Sequence, residues 1–181
     1  MIPVLSVNNW IVFQQRIDGN LSFQRDWNDY KQGFGNWAGE YWMGLEKIYQ
    51  LTTSGGWRLR LELKNGIDEL WSDHEYDTFF IDSETNGYSL HVSMTGFGTE
   101  DDVLNIVGPN YHNGMKFSTI DRDNDCYSGS CASSHKGGFW YNSCYAVNLN
   151  GDYLTRFNYI QHNGDLSTPL AACRMMMKRS Y

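Results

Sequence analysis

The sequence predicts an α+β domain, in which a twisted, mainly antiparallel sheet with short helices precedes a loop-rich subdomain. Residues 57–64 alternate apolar and charged side chains, as a half-buried strand does. Two short apolar-periodic segments end at glycines, as helices do. From about Gly108 onward, glycine, asparagine, serine and aromatic residues follow one another without periodicity. A chain of 181 residues suits one domain, with a sheet and helix part to about 107, a loop-rich part at about 108–168 and a closing strand at about 170–181.

Residues 10–17 are rich in β-branched and aromatic side chains and run into Asp18 and Gly19, so a strand and a tight turn are predicted. Residues 57–64 place Trp57 and three leucines on one face and four charged residues on the other. The remaining predicted strands are short: residues 69–72, 78–82, 88–94 and 174–178.

Two helices are predicted in the first third of the chain. The first covers residues 26–32, with Gly33 as its C-cap. The second covers about residues 43–52 and stops at Ser54-Gly55-Gly56, with one apolar face formed by Leu45, Ile48 and Leu51. Because both helices are brief, packing must stabilise them.

The formal net charge of −7 argues against nucleic acid as a partner, since phosphates would be repelled at long range. No apolar run approaches the ~20 residues that cross a bilayer, so no membrane insertion is expected. The first seven residues lack the basic start and the length of a signal peptide. The expectation is therefore a soluble chain, either cytosolic or a mature, trimmed secreted piece.

Four cysteines lie in the last third of the chain and allow three pairings. No spacing resembles a zinc ribbon or a redox C-x-x-C, so disulfides and an oxidising, extracellular compartment are favoured. Asn20-Leu21-Ser22 is a glycosylation sequon, which agrees with secretion. The cysteines are Cys126, Cys131, Cys144 and Cys173.

The segment 121–129 is acidic: Asp121, Asp123 and Asp125 alternate with other residues, and Gly129 makes a turn beyond them. Ca²⁺ takes six to eight oxygen ligands from carboxylates, carbonyls and water, so a calcium loop is predicted. A solvated acidic turn is the alternative, because Asp, Asn, Ser and Gly favour turns for local reasons. An EF-hand is excluded, since Cys126 and Ala132 occupy the positions of its glycine and its bidentate glutamate.

An ordered set of segments resembles the signature segments of the fibrinogen C-terminal-like (fibrinogen-related) domain family, which includes ficolin- and tachylectin-type lectins. The resemblance covers about residues 10–178. It is carried by the following segments: Trp10-Ile-Val-Phe-Gln-Gln-Arg16, Gly33-Phe-Gly-Asn36, Gly39-Glu-Tyr-Trp-Met-Gly-Leu45, Tyr111-His-Asn-Gly-Met-Lys-Phe-Ser-Thr119, Asp121-Arg-Asp-Asn-Asp125, Gly137-Gly-Phe-Trp-Tyr-Asn142 and Asn148-Leu-Asn-Gly151.

The resemblance implies that calcium is bound by the side chains of Asp123 and Asp125 and by the backbone carbonyls of Tyr127 and Gly129. It leaves Asp121 as a neighbouring or loop-capping group. It also implies a disulfide from Cys131 to Cys144, beside the cation, which should contribute ~3 kcal/mol through loop-closure entropy.

Cys126 and Cys173 lie outside the family's usual pattern. A bridge between them is the simplest hypothesis, because free thiols are a liability in an oxidising compartment. Two buried, unpaired thiols are the alternative.

In lectin-like members the ligand pocket lies next to the calcium, and a cis peptide precedes the second loop cysteine, which here is the Ser143–Cys144 bond. Carried over residue by residue, the pocket contains His135, Ser143, Cys144, Tyr145, Gln161 and His162. His135 stands where acetyl-binding members usually carry tyrosine, and Tyr145 where they usually carry histidine. A slot for an acetyl methyl group would therefore be more polar here.

Phe139, Trp140 and Tyr141 could stack on a sugar ring or form the core of the loop-rich part. His112 is expected to be a hydrogen-bonded structural residue. Cys126 with His112, or His135 with Asp123, could be called a dyad, but no nucleophile motif or cofactor loop accompanies them, so no enzyme is expected.

The resemblance predicts a secreted, calcium-dependent, lectin-like module of innate immunity that binds glycans or acetylated surface patterns. The alternative is a module of the same fold that binds a peptide or a receptor surface. The family's N-terminal disulfide-bonded subdomain is expected to be absent, because nine residues precede Trp10. Homo-oligomerisation through segments outside this sequence is a further expectation.

Overall fold

The computed structural model describes residues 6–106, 108–153, 158–159 and 168–180. Within them a large antiparallel sheet carries the fold, and its path is β3-β4-β2-β12-β5-β6-β9. β1 joins this sheet by pairing with β2, and β10 joins it through β11, which pairs with β12. A separate hairpin contains β7 and β8. The strands are β1 (Ser6–Val7), β2 (Trp10–Arg16), β3 (Phe34–Gly35), β4 (Tyr41–Trp42), β5 (Trp57–Asn65), β6 (Trp71–Tyr76), β7 (Phe79–Ile81), β8 (Leu90–Val92), β9 (Gly96–Gly98), β10 (Val147–Asn148), β11 (Asn158–Tyr159) and β12 (Thr168–Arg179).

The two predicted helices are present and short, as α1 (Trp27–Gln32) and α2 (Leu45–Thr52). A third helix, α3 (Cys131–His135), was not predicted, and a 3₁₀ turn lies at Glu84–Asn86. Asp26 caps α1 by accepting from the Asp29 N–H at 2.9 Å, and Gly33 ends the helix at φ 97°, a left-handed value that favours glycine. The α+β class is therefore confirmed, with the described loop-rich part containing one short helix.

β5 shows the predicted alternation. Its odd-numbered residues from Trp57 to Leu63 are buried in the core, while Arg60 and Glu62 face outward. β12 lies between β2 and β5 and places Arg174 opposite Glu62, with an ion pair of 2.6 Å. The strand that closes the chain is thus a central strand of the sheet, and it is longer than the predicted 174–178.

Several predicted boundaries and one predicted core position are wrong. The strand predicted at 69–72 begins at Trp71, because Glu69 takes a left-handed φ of 61° in the preceding turn. α2 begins at Leu45, since Gly44 has a φ of 107° outside helical geometry. On α2, Thr52 is fully buried, where its hydroxyl donates to the Ile48 carbonyl, and Leu51 is 37% exposed instead of facing the core.

The core continues from the sheet into the loop-rich part. Trp42 of β4 contacts Trp140 and Phe117 at ring-centroid distances of 6.2 and 5.8 Å. The Tyr30 hydroxyl of α1 accepts from the Gly138 N–H at 2.9 Å. Aromatic packing of this kind fixes the loops that carry the site against the sheet.

Candidate functional site

Asp123 and Asp125 lie together in the loop between Arg122 and α3. The Asp125 N–H donates to Asp123 Oδ1 at 3.2 Å. The Asp125 carboxylate accepts from the Tyr127 N–H and the Cys131 N–H, both at 2.9 Å. These bonds close the segment from Asp125 to Cys131, because the Asp125 carboxylate at its beginning binds the Cys131 N–H at its end.

The pKa of Asp125 lies above its ordinary value. Burial raises the pKa of Asp125, and the adjacent Asp123 carboxylate raises it further, against the lowering effect of the Cys131 and Tyr127 N–H groups. A divalent ion between the two carboxylates would relieve this repulsion. Among the described residues, no three His, Cys, Asp or Glu side chains are grouped so as to hold a metal. A calcium ion would therefore need backbone carbonyls as well, which is the donor set predicted with Tyr127 and Gly129.

Gly129 lies against the ring of Tyr127. A Cβ atom at this position would lie 3.0 Å from the Tyr127 ring, closer than side chains normally approach. The Tyr127 ring therefore covers the glycine and is itself 48% exposed on the adjacent cavity. Tyr127 was predicted to bind calcium through its backbone carbonyl, and its side chain lines the cavity.

Asp121 faces away from this pair, toward α1. Its Oδ1 accepts from the Trp27 N–H at 2.8 Å and from the Thr119 hydroxyl at 2.7 Å. The guanidinium of Arg122 lies 3.9 Å from the centroid of the Trp27 ring. Asp121 was expected to be a neighbouring or loop-capping group, whereas the structure shows it bonded to the first N–H of α1, a helix of the sheet subdomain.

The predicted Cys131–Cys144 disulfide is confirmed, with the two Cα atoms 5.6 Å apart. Cys131 begins α3 after Ser130, whose hydroxyl oxygen accepts from the Ser133 N–H as the N-cap. The Ser143–Cys144 peptide is cis, as predicted. The bridge joins α3 to the segment that forms the opposite wall of the cavity.

A cavity of about 440 Å³ lies beside the acidic loop. Four of the predicted ligand-binding residues line it, and the rings of His135 and Tyr145 meet edge to face at 4.7 Å. Gln161 and His162 lie outside the described residues. The lining residues are Asn110, Tyr127, Ser134, His135, Ser143, Cys144 and Tyr145.

Sequence reasoning missed Asn110, Ser134 and the ring of Tyr127 as lining residues. Asn110 immediately precedes the segment 111–119 that carried part of the resemblance, and Ser134 precedes His135 on α3. These residues could have been suspected only because they are adjacent in sequence to predicted site residues or family segments. That they line one cavity follows from the packing of separate loops, which the sequence does not show.

The predicted bridge between Cys126 and Cys173 is wrong, because both cysteines are free. Cys173 is fully buried in β12, between Arg16 of β2 and Leu63 of β5, where Gln14 contacts its sulfur at 3.4 Å. Burial raises the pKa of the Cys173 thiol to about 12. Cys126 is exposed on the acidic loop, so a bridge would need the central strand to leave the sheet.

Phe139, Trp140 and Tyr141 are all fully buried, so they form the core and do not face the cavity. His112 is also fully buried and bonds only to backbone in the contacts described: Nδ1 lies 2.8 Å from the Trp140 carbonyl oxygen, and Nε2 accepts from the Ala146 N–H at 3.1 Å. The structural assignment of His112 is confirmed, and these bonds leave it no access to Cys126 as a base.

Asn20 is exposed beside Asp18, to which its side-chain amide donates at 2.7 Å, so the sequon is accessible. Its glycosylation stays a prediction. None of the helices in the described part of the chain combines the length and apolarity that a membrane span requires.

Comparison with known proteins agrees with this architecture. The family model for "Fibrinogen beta and gamma chains, C-terminal globular domain" matches residues 5–179. The fibrinogen-like globe domain of human ANGPTL2 superposes with a TM-score of 0.83 at 36% identity, covering 95% of this chain and 81% of that chain. Lamprey fibrin D-dimer, in complex with the peptide Gly-His-Arg-Pro-amide, gives a TM-score of 0.85 at 32% identity over 96% of this chain and 62% of that chain.

Curated relatives are longer than this chain. Microfibril-associated glycoprotein 4 of Bos taurus is 41% identical over 159 residues, which is 86% of this chain and 60% of that protein. Human tenascin-R is 42% identical over 144 residues, which is 80% of this chain and 10% of that protein. The chain thus spans less than two thirds of these relatives. The family match over residues 5–179 shows that the chain belongs to the fibrinogen C-terminal domain family.

Proposed function

We propose that this chain is a secreted, calcium-dependent recognition module that binds a glycan or an acetylated surface group in the cavity beside the acidic loop. The observation that carries the proposal is the convergence of His135, Ser143, Cys144 and Tyr145 around one cavity next to the Asp123–Asp125 pair. A binding cavity typically combines apolar rings with a few placed polar groups. Here the rings of His135 and Tyr145 supply the walls.

In this proposal calcium shapes the cavity and does not contact the ligand. Asp123 and Asp125 would hold the ion together with the Tyr127 and Gly129 carbonyls. The same loop carries the Tyr127 ring into the cavity and is joined to α3 through the Cys131 N–H. Ordering this loop would therefore order one wall, while the disulfide and the Ser143–Cys144 segment form the other.

The proposal assigns no catalytic step to the chain. A buried His112 that bonds to backbone cannot serve Cys126 as a base. Secretion is proposed because the chain has a disulfide, which persists in oxidising compartments, and because it is similar to microfibril-associated glycoprotein 4. Occupancy of the Asn20 sequon would agree with that compartment.

Peptide binding is the second candidate function. It is favoured by the similarity to lamprey fibrin D-dimer, which is complexed with the peptide Gly-His-Arg-Pro-amide. The polar side chains of His135, Ser134 and Asn110 could bond to a peptide backbone as well as to sugar hydroxyls. A polar cavity is compatible with both ligand classes.

The test is a glycan array and a peptide array, probed with Ca²⁺ and with a chelator. We expect binding of acetylated glycans that requires Ca²⁺ and falls on the order of tenfold in His135→Ala and in Tyr145→Ala, because each substitution removes a ring from the cavity. His91→Ala, on β8 and outside the cavity lining, is the matched control and should bind normally. Binding only to peptides would support the second candidate, and wild-type binding in both cavity variants would exclude the cavity as the site.

A further inference from the structure

A second cavity, of about 290 Å³, lies next to the cavity that contains His135 and Tyr145. Asn110 lines the first cavity, and the adjacent Tyr111 lines the second. Met94, which follows β8, is 73% exposed, and Tyr111 is 37% exposed. Large apolar side chains therefore surround a concave surface while remaining open to solvent. The residues that line this second cavity, which we call the apolar cavity, are Met94, Asn105, Ile106, Gly108, Tyr111 and Asn113.

The polar side chains of the apolar cavity are committed to bonds within the protein. The Asn113 amide nitrogen donates to the Val92 carbonyl at 2.9 Å and to Asn105 Oδ1 at 2.7 Å. The Asn105 amide nitrogen donates to the Ser93 carbonyl and to Asp102 Oδ2, both at 2.9 Å. A side-chain amide has two N–H groups, so neither amide has one left for a ligand. A group that enters this cavity would therefore be held mainly by apolar contacts.

The same network keeps the apolar cavity formed without a ligand. Asn113 Oδ1 also accepts from the Val92 N–H at 3.0 Å, which joins the end of β8 to the Asn113 loop. Asp102 Oδ1 accepts from the Tyr76 hydroxyl at 2.7 Å, which joins the loop before Asn105 to β6. Binding to a site that is already formed avoids the free-energy cost of ordering its loops.

The volume of the apolar cavity suits one apolar side chain. Small-molecule sites typically span about 300–1,000 Å³, so a cavity of about 290 Å³ lies at the lower end of that range. A cavity of roughly 150 Å³ accepts benzene, so an aromatic or branched aliphatic side chain would fit. A sugar ring would bring hydroxyl groups to which the committed Asn105 and Asn113 amides cannot donate, and buried unpaired hydroxyls are costly. These properties favour a protein side chain over a sugar.

We propose that the apolar cavity docks one apolar side chain of an extended peptide segment from a protein partner. Such a segment presents the side chains of one face about every 7 Å. Asn110 and Tyr111 are consecutive, with Cα atoms about 3.8 Å apart, so one partner segment spans both cavities. The Ser143 N–H donates to the Pro109 carbonyl at 3.1 Å, which fixes the boundary between the cavities. Docking in the apolar cavity does not rest on the proposed function of the first cavity.

The experiment titrates the isotope-labelled domain with N-acetyl-leucine amide and with N-acetyl-asparagine amide, and follows backbone and side-chain amide signals by NMR. The two probes share the acetyl group and have similar size, so the difference between them reports the apolar side chain. N-acetyl-leucine amide should shift the side-chain signals of Asn105 and Asn113. It should bind on the order of tenfold more tightly than N-acetyl-asparagine amide, because only leucine gains from apolar burial.

Two substitutions test the walls of the apolar cavity. Met94→Gln and Tyr111→Gln should each weaken binding of N-acetyl-leucine amide about threefold or more, because each removes apolar contact area. Both side chains are exposed, so the variants should fold, and their melting temperatures would check this. Phe97→Gln, at an exposed aromatic position of β9 outside the lining, is the matched control and should bind like the wild type.

Three results would overturn the proposal: equal affinity for the two probes, unchanged binding in both cavity variants, or shifts confined to Ser143 and Tyr145, which would place the acetyl group in the first cavity. Octanamide that binds more tightly than N-acetyl-leucine amide would also contradict it, since that indicates an acyl chain as the occupant. Absence of Ca²⁺-dependent binding on the arrays would contradict the proposed function alone, whereas equal affinity for the two probes would contradict this inference alone.

Discussion

The Asp121 carboxylate accepts a hydrogen bond from the backbone N–H of Trp27 at 2.8 Å, and so ties the acidic loop to the first turn of α1. The first N–H groups of a helix have no partner within the helix, and a carboxylate there also interacts favourably with the helix dipole. Asp26 satisfies the Asp29 N–H of the same turn. Two carboxylates, 95 positions apart in the sequence, thus cap one six-residue helix.

Replacing Asp121 with Ala should therefore destabilise the domain by about 1–2 kcal/mol, because the Trp27 N–H and the Thr119 hydroxyl lose an acceptor. Urea denaturation followed by fluorescence would measure the change. Asp101→Ala, which removes a carboxylate from an exposed position, is the control and should change stability by less than about 0.5 kcal/mol. Equal effects of the two substitutions would argue that Asp121 contributes only its charge.

Asp123→Asn should abolish the calcium-dependent part of stability. An ion that binds only the native state stabilises it by about 2.7 kcal/mol at a concentration 100 times its Kd. We choose Asp123 because the Asp125 carboxylate also accepts from the Tyr127 and Cys131 N–H groups. Substituting Asp125 would therefore change stability through these bonds as well as through calcium. Melting curves with Ca²⁺ and with chelator should therefore differ for the wild type and coincide for Asp123→Asn. Equal melting temperatures of the wild type with Ca²⁺ and with chelator would contradict the proposed metal site.

His112 should make the domain acid-sensitive. Burial lowers the pKa of His112 to about 4, and the bond to the Trp140 carbonyl only partly opposes this. Because the unfolded state takes up the proton near its ordinary pKa of 6.5 and the folded state does not, stability is fully present above about pH 6.5 and is lost as the pH falls toward 4. The loss attributable to His112 amounts to about 3 kcal/mol at most.

Denaturation curves between pH 7 and about pH 4 would measure this loss in the wild type and in His112→Gln, with the other titrating groups common to both. The wild type should lose more stability over this range than His112→Gln. His91→Gln, at a partly exposed histidine beside Asp82, is the matched substitution and should change the pH dependence less than His112→Gln does, because His112 is the fully buried histidine of the two. Parallel curves for wild type and His112→Gln would show that His112 accepts a proton in the folded state.

Glu40, which immediately precedes β4, should be among the positions most sensitive to substitution. Its carboxylate is buried and accepts from Arg16 Nε at 3.3 Å, from the Gly19 N–H at 3.0 Å and from the Leu21 N–H at 2.8 Å. Burial raises the pKa of Glu40, but the backbone N–H groups and the Arg16 guanidinium lower it by more, so the net pKa is below its usual range. Glu40→Ala leaves the Arg16 charge buried, which typically costs about 3–5 kcal/mol.

The matched control for Glu40 is Glu69→Ala. Glu69 also forms an ion pair, with Lys64 at 2.9 Å, but its side chain is 72% exposed. Exposed pairs of this kind contribute about 0–1 kcal/mol. Chemical denaturation should show that Glu40→Ala loses at least about 2 kcal/mol more free energy of unfolding than Glu69→Ala. A similar, small loss in both would mean that the Leu149 and Gly151 carbonyls, which also accept from Arg16, are enough to hold its charge.

Local sequence signals were enough for the elements whose physics is local. The alternation in β5 predicted which of its residues are buried, because side chains of a strand point to opposite faces in turn. Gly33 predicted the end of α1, since capping depends on residues adjacent in sequence, whereas Asp26, expected as the first helical residue, is the N-cap. The family segments predicted the Cys131–Cys144 bridge and the cis Ser143–Cys144 peptide.

Other features depended on contacts between residues far apart in sequence. Helical periodicity alone allows either Leu51 or Thr52 to face the core. Thr52 faces it in the structure, where its hydroxyl oxygen accepts from the Ile81 N–H of the neighbouring strand β7 at 3.4 Å. Cys126 and Cys173 could pair by count alone, but β12 buries one thiol in the sheet while the acidic loop exposes the other.

The sequence by itself determined the class of fold, the family, the acidic loop and the residues that could form a pocket, because alternation, capping residues and the ordered segments are all readable along the chain. Only the tertiary structure decided that His135 and Tyr145 share one cavity with Asn110, that Asp121 caps α1, and that Cys173 is buried while Cys126 is exposed. The physical reason is that these relationships arise where separate loops pack against one sheet, and packing between distant segments leaves no periodic pattern in sequence.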